Sequence, residues 1–406
     1  MAARHDFFAT TAKGLEELLA AELRDLRAEC VTATRAGVSF AGPLEVAYRA
    51  CLWSRVANRI LLPLATFRAA TPEELYAGVR AIRWVDHVNP RGTLAVTGTT
   101  SQSRLTHSHF IALKTKDAIV DHLRERSSVR PSIDVDSPDV RVNVYVHRDR
   151  AVVGIDLSGE SLHRRAYRQH AGAAPLKENL AAAILLLAEW PRLARAGAPF
   201  IDPMCGSGTL PLEAASIAAD IAPGLRRQRF GFARWLGHHA NLWHRLVKEA
   251  EEREIRDPRR LPVIHGYDVD ARAVRGALAN VELAGLRGRV HIERRALADC
   301  QPPPNRHAGG GLFVVNPPYG ERLGEVERLA PLYEEIGDVL RRRFTGWTGY
   351  VLAGSPALAK RIGLRPTQRI TLYNGAIECR LLKLPISATK VQSAAGPGWR
   401  KHRADA

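Results

Sequence analysis

Strand-like and helix-like segments alternate along the C-terminal half of the chain, and this alternation restricts the fold more than any other feature of the sequence. Short apolar runs predict strands at residues 199–201, 263–267, 290–293, 312–315 and 349–353. Helical periodicity predicts helices at residues 177–189, 209–219, 271–284 and 332–344. Strands that alternate with helices form a parallel sheet covered on both faces. We therefore expect a Rossmann-like, doubly wound α/β domain over residues 174–386.

The preceding 158 residues predict two smaller α+β units, at residues 1–65 and 66–158. In the first unit, a leucine-periodic helix after Lys13 precedes a strand, a helix and a strand, at 37–40, 44–61 and 62–67. In the second unit, Thr71 is a predicted helix N-cap. Further strands and a helix are predicted there, at 93–99, 108–126 (the helix), 140–146 and 151–157.

Three remaining segments complete the predicted organisation. A basic stretch at 159–173 is expected to link the two halves, and a closing hairpin is expected at 368–373 and 376–383, around the turn dipeptide Asn374-Gly375. The small, polar and basic residues 387–406 predict a disordered tail. The longest apolar stretch, at 180–190, is too short to span a bilayer.

The charge balance indicates a polyanionic partner. Lys and Arg number 59 against 42 Asp and Glu, a formal net charge of +17 over 406 residues, which favours nucleic-acid binding through counterion release. A solvated basic surface is the alternative. The five cysteines are scattered, without the close spacing of a zinc site or a disulfide framework, so we expect a cytoplasmic protein without bound metal or membrane contact.

A glycine loop follows the first predicted strand of the α/β domain. It comprises Asp202, Pro203, Met204, Cys205, Gly206, Ser207, Gly208 and Thr209. A ligand can approach the backbone closely at the carboxyl end of such a strand only where side chains are absent. The loop lacks the Lys-Ser/Thr of a nucleotide P-loop, and Gly-x-Gly is only a weak dinucleotide signal. A plain glycine-rich turn is the alternative.

Acidic residues follow the next two predicted strands. Asp268 is placed to accept hydrogen bonds from both hydroxyls of a ribose, and Asp270 could cap the next helix. Asp299 follows the strand at 290–293, where a short acidic side chain could accept a hydrogen bond from an adenine amino group. An ordinary surface aspartate is the alternative.

The fourth predicted strand ends in Asn316-Pro317-Pro318-Tyr319. Two consecutive prolines turn the backbone away from the sheet and present carbonyls. The Asn316 side-chain oxygen and the Pro317 carbonyl can both accept from one exocyclic amino group, which aims the nitrogen lone pair at an electrophilic methyl, and Tyr319 offers a ring for base stacking. Catalysis would then depend on orientation and proximity, with a proline-rich strand exit as the alternative.

These motifs carry a family resemblance. Asp-Pro-Met-Cys-Gly-Ser-Gly-Thr and Asn-Pro-Pro-Tyr-Gly, in this order, resemble the class I S-adenosylmethionine-dependent methyltransferases that act on exocyclic amines. With the segments ATTAKGLEELLAAEL, DVRVNVYVHRD and APLKENLAAAIL, the chain resembles the bacterial large-subunit rRNA guanine-N2 methyltransferases that contain a THUMP domain. The resemblance covers roughly residues 7–385.

The resemblance implies a ferredoxin-like domain, a THUMP RNA-binding domain and a Rossmann-like methyltransferase domain. It implies S-adenosyl-L-methionine as cofactor, bound by the glycine loop residues and by Asp268 and Asp299. Pro175, Leu176 and Lys177 lie where relatives contact the cofactor's amino-acid end, and guanine N2 would be held by Asn316, Pro317, Pro318 and Tyr319. The implied partner is large-subunit (23S) rRNA or its precursor particle, and a monomer is expected.

Some relatives continue into a second methyltransferase domain, whereas this chain ends about twenty residues after the first. We therefore expect only the N2 activity. The alternatives are methylation of tRNA guanine N2 or of adenine N6, and a non-catalytic RNA-binding or assembly factor.

Residues 223–260 interrupt the strand–helix alternation and predict a basic helical insertion. Its arginines and aromatic rings predict an RNA contact, with a solvated surface helix as the alternative. They are Arg226, Arg227, Arg229, Phe230, Phe232, Arg234 and Trp235.

Overall fold

The computed structural model describes residues 3–35, 37–168, 176–304, 310–320 and 324–387. Pro175, the end of the predicted linker and the predicted tail beyond residue 387 lie outside these ranges. The expected fold class, a doubly wound α/β domain preceded by two α+β units, is confirmed.

The N-terminal units share one eight-stranded sheet. Its strands in chain order are β1 (Arg4–Thr10), β2 (Glu29–Thr34), β3 (Gly37–Pro43), β4 (Arg59–Arg68), β5 (Thr93–Ser101), β6 (Ser132–Ile133), β7 (Val140–His147) and β8 (Arg150–Asp156). Their spatial order is β2-β3-β1-β4-β8-β7-β5-β6. Four helices accompany them: α1 (Glu16–Asp25), α2 (Leu44–Trp53), α3 (Pro72–Arg80) and α4 (Ser108–Ser127).

Strand β4 joins the two units. It pairs antiparallel with β1 on one side and with β8 on the other, so Leu61 faces both Phe8 and Asp156. The register shifts between Pro63 and Ala65, where a proline cannot donate to the ladder. The expected boundary between residues 65 and 66 therefore falls inside a strand that belongs to both units.

The helix expected at 44–61 is shorter than its pattern suggests. Helix α2 ends at Trp53 because the buried carboxylate of Glu22, on α1, accepts hydrogen bonds from the Ser54 hydroxyl at 2.6 Å and the Arg55 N–H at 2.7 Å. These contacts hold Ser54 in an extended conformation, and β4 begins soon after. A contact between two helices, not visible in local periodicity, ends α2.

The third unit is a seven-stranded sheet with helices on both faces. Its strands are β9 (Phe200–Asp202), β10 (Ile264–Asp268), β11 (His291–Arg294), β12 (Leu312–Val315), β13 (Thr348–Ala353), β14 (Gln368–Asn374) and β15 (Ile377–Pro385). Its helices are α5 (Glu178–Leu187), α6 (Trp190–Arg195), α7 (Thr209–Ala218), α8 (Ala240–Arg253), α9 (Ala271–Leu283), α10 (Glu325–Arg343) and α11 (Pro356–Arg361). Single 3₁₀ turns lie at Trp84–Asp86, Pro258–Arg260 and Leu297–Asp299.

The order of this sheet, β11-β10-β9-β12-β13-β15-β14, places β9 beside β12. The chain winds outward from β9 through β10 to β11 and then returns to pair β12 with β9 in parallel. Ligands of open α/β sheets bind outside the carboxyl ends of the strands at such a reversal. The loops that leave β9 and β12 are the glycine loop and the segment starting at Asn316.

The insertion at 223–260 differs from its prediction. Turns occupy most of it before α8, and Phe230, Phe232 and Trp235 are buried. The Phe232 ring centroid lies 4.4 Å from that of Tyr48 on α2 and 4.9 Å from that of Trp243 on α8. The expectation that these rings contact RNA is wrong, because they form the apolar contact between the N-terminal units and the third unit.

Two further structural observations concern the described residues. No described helix combines the length and apolar character needed to cross a membrane. Within the same ranges, no group of three or more His, Cys, Asp or Glu side chains is arranged to hold a metal ion.

Candidate active site

The glycine loop depends on two left-handed glycines with different surroundings. Gly206 has φ +54°, and a Cβ added there would meet nothing within 4 Å, so the loop backbone is open to an approaching ligand at this point. Gly208 has φ +83° and precedes α7, where an added Cβ would lie 2.9 Å from the Leu212 side chain and 3.2 Å from Ala277 on α9. One glycine therefore leaves space for a ligand and the other allows close helix packing.

Hydrogen bonds from two neighbouring elements hold this loop in place. The Cys205 N–H donates to the Tyr267 carbonyl at 2.7 Å, and the Asn280 side-chain amide on α9 donates to the Ser207 carbonyl at 3.0 Å. Asn280 is fully buried. The glycine loop is thereby preorganised before any ligand binds, which lowers the entropic cost of binding.

Asp268 lies at the carboxyl end of β10, directly beside the glycine loop. One of its carboxylate oxygens accepts from the Gly206 N–H at 2.9 Å and the other from the Asp270 N–H at 2.9 Å. Each oxygen retains a further acceptor site, and the side chain is only partly buried. Asp270 caps α9 by accepting from the Arg272 N–H at 2.8 Å, in agreement with its alternative reading.

The other two candidate acids occupy opposite environments. Asp202 is buried, accepts from the Met204 N–H at 3.1 Å, and burial together with the nearby Asp268 raises its pKa well above the usual range. Asp202 therefore stabilises the glycine loop from its buried side. Asp299 is exposed at the end of the 3₁₀ turn after β11.

Arg168 connects the start of α5 with the start of α7. Its Nη2 donates to the Leu176 carbonyl at 2.6 Å and to the Thr209 hydroxyl at 2.7 Å, and its Nε lies 3.3 Å from the Glu178 carboxylate. The predicted cofactor residues Leu176 and Thr209 are thus held by one guanidinium. Sequence reasoning assigned Arg168 only to a linker, because 41 positions separate it from Thr209 and no local pattern signals the contact.

Asn316 directly follows β12, and its side-chain oxygen is part of a hydrogen-bonded chain. The Tyr319 hydroxyl donates to Asn316 Oδ1 at 2.6 Å, and the Asn374 Nδ2 group at the end of β14 donates to the Tyr319 hydroxyl at 3.2 Å. The Tyr333 hydroxyl on α10 donates to the Pro318 carbonyl at 2.9 Å. Burial, with Cys379 nearby, raises the pKa of Tyr319, so its hydroxyl remains a donor at neutral pH.

Two residues that shape this site carried no clear sequence signal. Gly354, after β13, leaves room for the Tyr319 ring, because a Cβ there would lie 2.6 Å from the ring. Asn374 was interpreted as a turn residue, yet the two-residue turn consists of Gly375 and Ala376, and Asn374 pairs with Ile377 as the last residue of β14. The closing hairpin therefore contributes a side chain to the site.

The fold and the site together define a class. A glycine loop after the first strand, an acid after the second, and an Asn-Pro-Pro-Tyr segment at the reversal of the sheet describe a class I methyltransferase domain. The sequence profile of the RMKL-like methyltransferase domain matches residues 165–383, that of the RlmL ferredoxin-like domain matches residues 6–61, and that of the THUMP domain matches residues 69–156. The chain belongs to the RMKL-like methyltransferase family.

Two curated relatives carry the name ribosomal RNA large subunit methyltransferase K/L. The protein of Syntrophotalea carbinolica is 52% identical over 391 residues, which are 96% of this chain and 55% of that protein. The protein of Methylococcus capsulatus is 55% identical over 382 residues, 94% of this chain and 51% of that protein. The chain therefore spans about half the length of the curated relatives it matches.

Two solved structures resemble the chain over nearly its whole length. SMU.472, described as a methyltransferase and crystallised with SAH, is 32% identical, with a TM-score of 0.84 and coverage of 95% of this chain and 99% of that one. A protein described as a predicted N6-adenine-specific DNA methylase from Listeria monocytogenes is also 32% identical, with a TM-score of 0.82 and coverage of 95% and 97%.

Proposed function

We propose that this chain transfers a methyl group from S-adenosyl-L-methionine to the exocyclic N2 of a guanine in large-subunit rRNA. One observation carries the proposal, namely the position of Asn316 at the end of β12. Strand β12 pairs in parallel with β9 at the point where the sheet reverses its winding. Asn316 and the glycine loop therefore follow two adjacent parallel strands. An acceptor for an amino group and a preorganised ligand loop thus share one crevice.

The described residues suit the cofactor. Gly206 leaves its side of the loop open, and Asp268 is held with both oxygens able to accept further hydrogen bonds from ribose hydroxyls. Asp299 is exposed and available to an adenine amino group, and Lys177 is exposed at the start of α5, near the expected amino-acid end. S-Adenosylmethionine supplies an electrophilic methyl group on its sulfonium sulfur.

Asn316 and Pro317 orient the nucleophile. The Asn316 oxygen already accepts from the Tyr319 hydroxyl, but an amide oxygen has two acceptor sites and can also receive one N–H of a guanine amino group. The Pro317 carbonyl accepts the other N–H, and the Tyr319 ring supports the base. These contacts direct the nitrogen lone pair toward the methyl group. The sulfonium S–CH3 bond would break as the N–C bond forms, releasing S-adenosylhomocysteine, and the surplus amino proton would then pass to water. Rate enhancement then comes mainly from orientation.

The choice of RNA rests on several supports. The K/L relatives are named for large-subunit rRNA, a THUMP domain precedes the catalytic unit, and the net charge is +17. The target guanine must be unpaired or flipped out, because N2 takes part in a G·C pair. We further propose that the chain acts as a cytoplasmic monomer.

Incubation with methyl-labelled cofactor and separate pools of 23S rRNA, tRNA and DNA tests this proposal. Digestion and mass spectrometry should find label in N2-methylguanosine from 23S rRNA. Label in tRNA guanine, or in N6-methyladenine of any pool, would contradict the proposed substrate and identify the labelled nucleotide as the substrate instead. Absence of label together with no calorimetric cofactor binding would favour a non-catalytic assembly factor.

The Asn316→Ala variant provides the catalytic control. Loss of the acceptor should lower kcat about 100-fold or more, as for other single preorganised polar groups, while the cofactor dissociation constant stays within about twofold. Unchanged methylation by Asn316→Ala would contradict the assignment of this site.

A further inference from the structure

A large basic groove lies between the THUMP unit, the segment after β8, the insertion and the closing hairpin. It encloses about 910 Å³. Seven Arg and Lys side chains line it against three carboxylates. Its lining includes Pro138 and Arg141 of the THUMP unit together with Lys177 and the hairpin residue Asn374. Because Asn374 donates to the Tyr319 hydroxyl, the groove adjoins the candidate active site.

Four of these cations have structural partners. Arg165 is buried 3.6 Å from Glu213, the partly buried Arg168 lies 3.3 Å from Glu178, and Arg229 donates to the Pro138 carbonyl. Arg227 donates to the backbone carbonyls of Ser158, Glu160, Ser161 and Arg164 at 2.8–3.2 Å. These side chains hold the wall of the groove in shape, and Arg227, whose described hydrogen bonds all go to backbone carbonyls, adds positive charge to it.

Other cations are placed to meet a ligand. Arg141 is half-buried and donates to the Val135 carbonyl at 2.7 Å, while no described carboxylate lies within ion-pair distance of it. Burial lowers its pKa, which indicates a desolvated cation that an anionic ligand would stabilise. Arg164 is exposed, and its ion-pair partner among the described residues is the exposed Glu160; Lys177 is exposed as well.

The lining favours phosphates over bases. No Phe, Tyr or Trp is among the described residues that line the groove, so it lacks the stacking platforms of base-reading surfaces. Guanidinium and ammonium groups bind phosphate oxygens without regard to sequence. One extended strand can enter the groove and place its base in the site without the free-energy cost of flipping a guanine out of a duplex.

We propose that this groove binds the sugar–phosphate backbone of a single RNA strand next to the target nucleotide, with Arg141 and Arg164 as phosphate contacts. The inference rests on the proposed function only in taking RNA as the substrate. It assigns these two arginines a role in RNA affinity and none in cofactor binding or methyl transfer.

The test is fluorescence anisotropy with a labelled 12-nucleotide single-stranded RNA, without cofactor, over a range of salt concentrations. Each phosphate contact adds about 0.7 to the slope of log affinity against log salt for single strands. The Arg141→Gln/Arg164→Gln variant should lose two contacts, so the slope should fall by about 1.4. If variant and wild type bind equally at 1 M salt, the variant should bind roughly 25-fold more weakly than wild type at 0.1 M salt. Arg164→Gln alone should lose about 0.7, or roughly fivefold, and keeps the test valid if Arg141→Gln fails to fold.

Two controls test whether a loss of RNA affinity is specific to the groove and to the phosphates of the RNA. Arg259→Gln/Arg287→Gln makes the same charge change at two exposed arginines outside the groove and should bind within about twofold of wild type. A morpholino oligomer of the same sequence, with an uncharged backbone, should bind wild type and the groove variant equally weakly. The proposal is overturned if the control variant loses as much affinity as the groove variant, or if duplex RNA binds more tightly than the single strand. Because no methyl transfer is measured, a wrong target base would leave these results unchanged.

Discussion

At the scale of single residues, the candidate site works through side chains that hold one another. Asn316 is fixed by Tyr319, and Tyr319 is fixed in turn by Asn374 and by the space that Gly354 leaves. Catalysis by orientation requires such support, since a misplacement of about 1 Å can reduce a rate about 100-fold.

Two substitutions of Tyr319 separate its hydroxyl from its ring. Tyr319→Phe keeps the ring and removes the hydrogen bond to Asn316, so we expect kcat to fall about tenfold, the value of one hydrogen bond, with KM for RNA nearly unchanged. Tyr319→Ala also removes base stacking, worth about 1–3 kcal/mol, and should raise KM as well. Steady-state methylation kinetics measure both. Equal kinetics for Tyr319→Phe and wild type would rule out the positioning role of the hydroxyl.

His163 makes stability depend on pH. Burial, together with Lys177 and the adjacent Arg164, lowers the pKa of His163 to about 4. The ordinary pKa of this ring is 6.5. Between pH 6.5 and about pH 4, the ring is therefore protonated in the unfolded chain and neutral in the folded chain. The contribution to stability is fully present above pH 6.5 and is lost as the pH falls toward 4. Urea unfolding should show a steeper loss between pH 6.5 and 4.5 for wild type than for His163→Gln, and parallel profiles would contradict this assignment.

At the scale of elements, each loop of the site is held by elements other than the strand that carries it. The glycine loop leaves β9 but is bonded to the end of β10 and to α9, while the segment after β12 is bonded to α10 and β14. The strand pattern placed both loops correctly. Their contacts with non-adjacent elements could not be predicted, because each joins residues about 15–75 positions apart.

The two glycines of the loop should respond differently to alanine. Gly206→Ala adds only left-handed strain, about 1–2 kcal/mol, and its side chain enters the space expected for the ligand. Gly208→Ala adds the same strain and a clash with Leu212, and should cost more stability. We expect calorimetry to show loss of cofactor binding for Gly206→Ala with a stability loss of only about 1–2 kcal/mol, and thermal melts to show the larger loss for Gly208→Ala. The reverse ranking in both assays would refute the two roles.

At the scale of the whole molecule, three units are built as one body. Strand β4 belongs to two of them, and buried residues of the insertion pack against α2. Arg49 on α2 forms a bidentate pair with Glu249 on α8, at 2.7 Å for both contacts. The RNA-binding groove exists only because these contacts set the THUMP unit beside the catalytic hairpin.

Arg227 should be a structural residue. Arg227→Met leaves four backbone carbonyls without their donor, so we expect a loss of about 3 kcal/mol in unfolding free energy. Arg259→Met, at an exposed position, should change it by less than about 0.5 kcal/mol. Urea denaturation provides the measurement. A loss below 0.5 kcal/mol for Arg227→Met would mean that its carbonyl contacts contribute little.

The sequence by itself determined the doubly wound α/β domain, its glycine loop and the Asn-Pro-Pro-Tyr segment, because periodicity, strand ends and proline geometry are local properties. Only the tertiary structure decided what the aromatic residues of the insertion do. Aromatic rings among arginines suit an RNA surface and also an interface between units, and the packing of Phe232 against Tyr48 selected the second role for the rings. The alternation of strands and helices therefore predicted where the loops of the candidate site leave the sheet, and long-range contacts determined which side chains hold them.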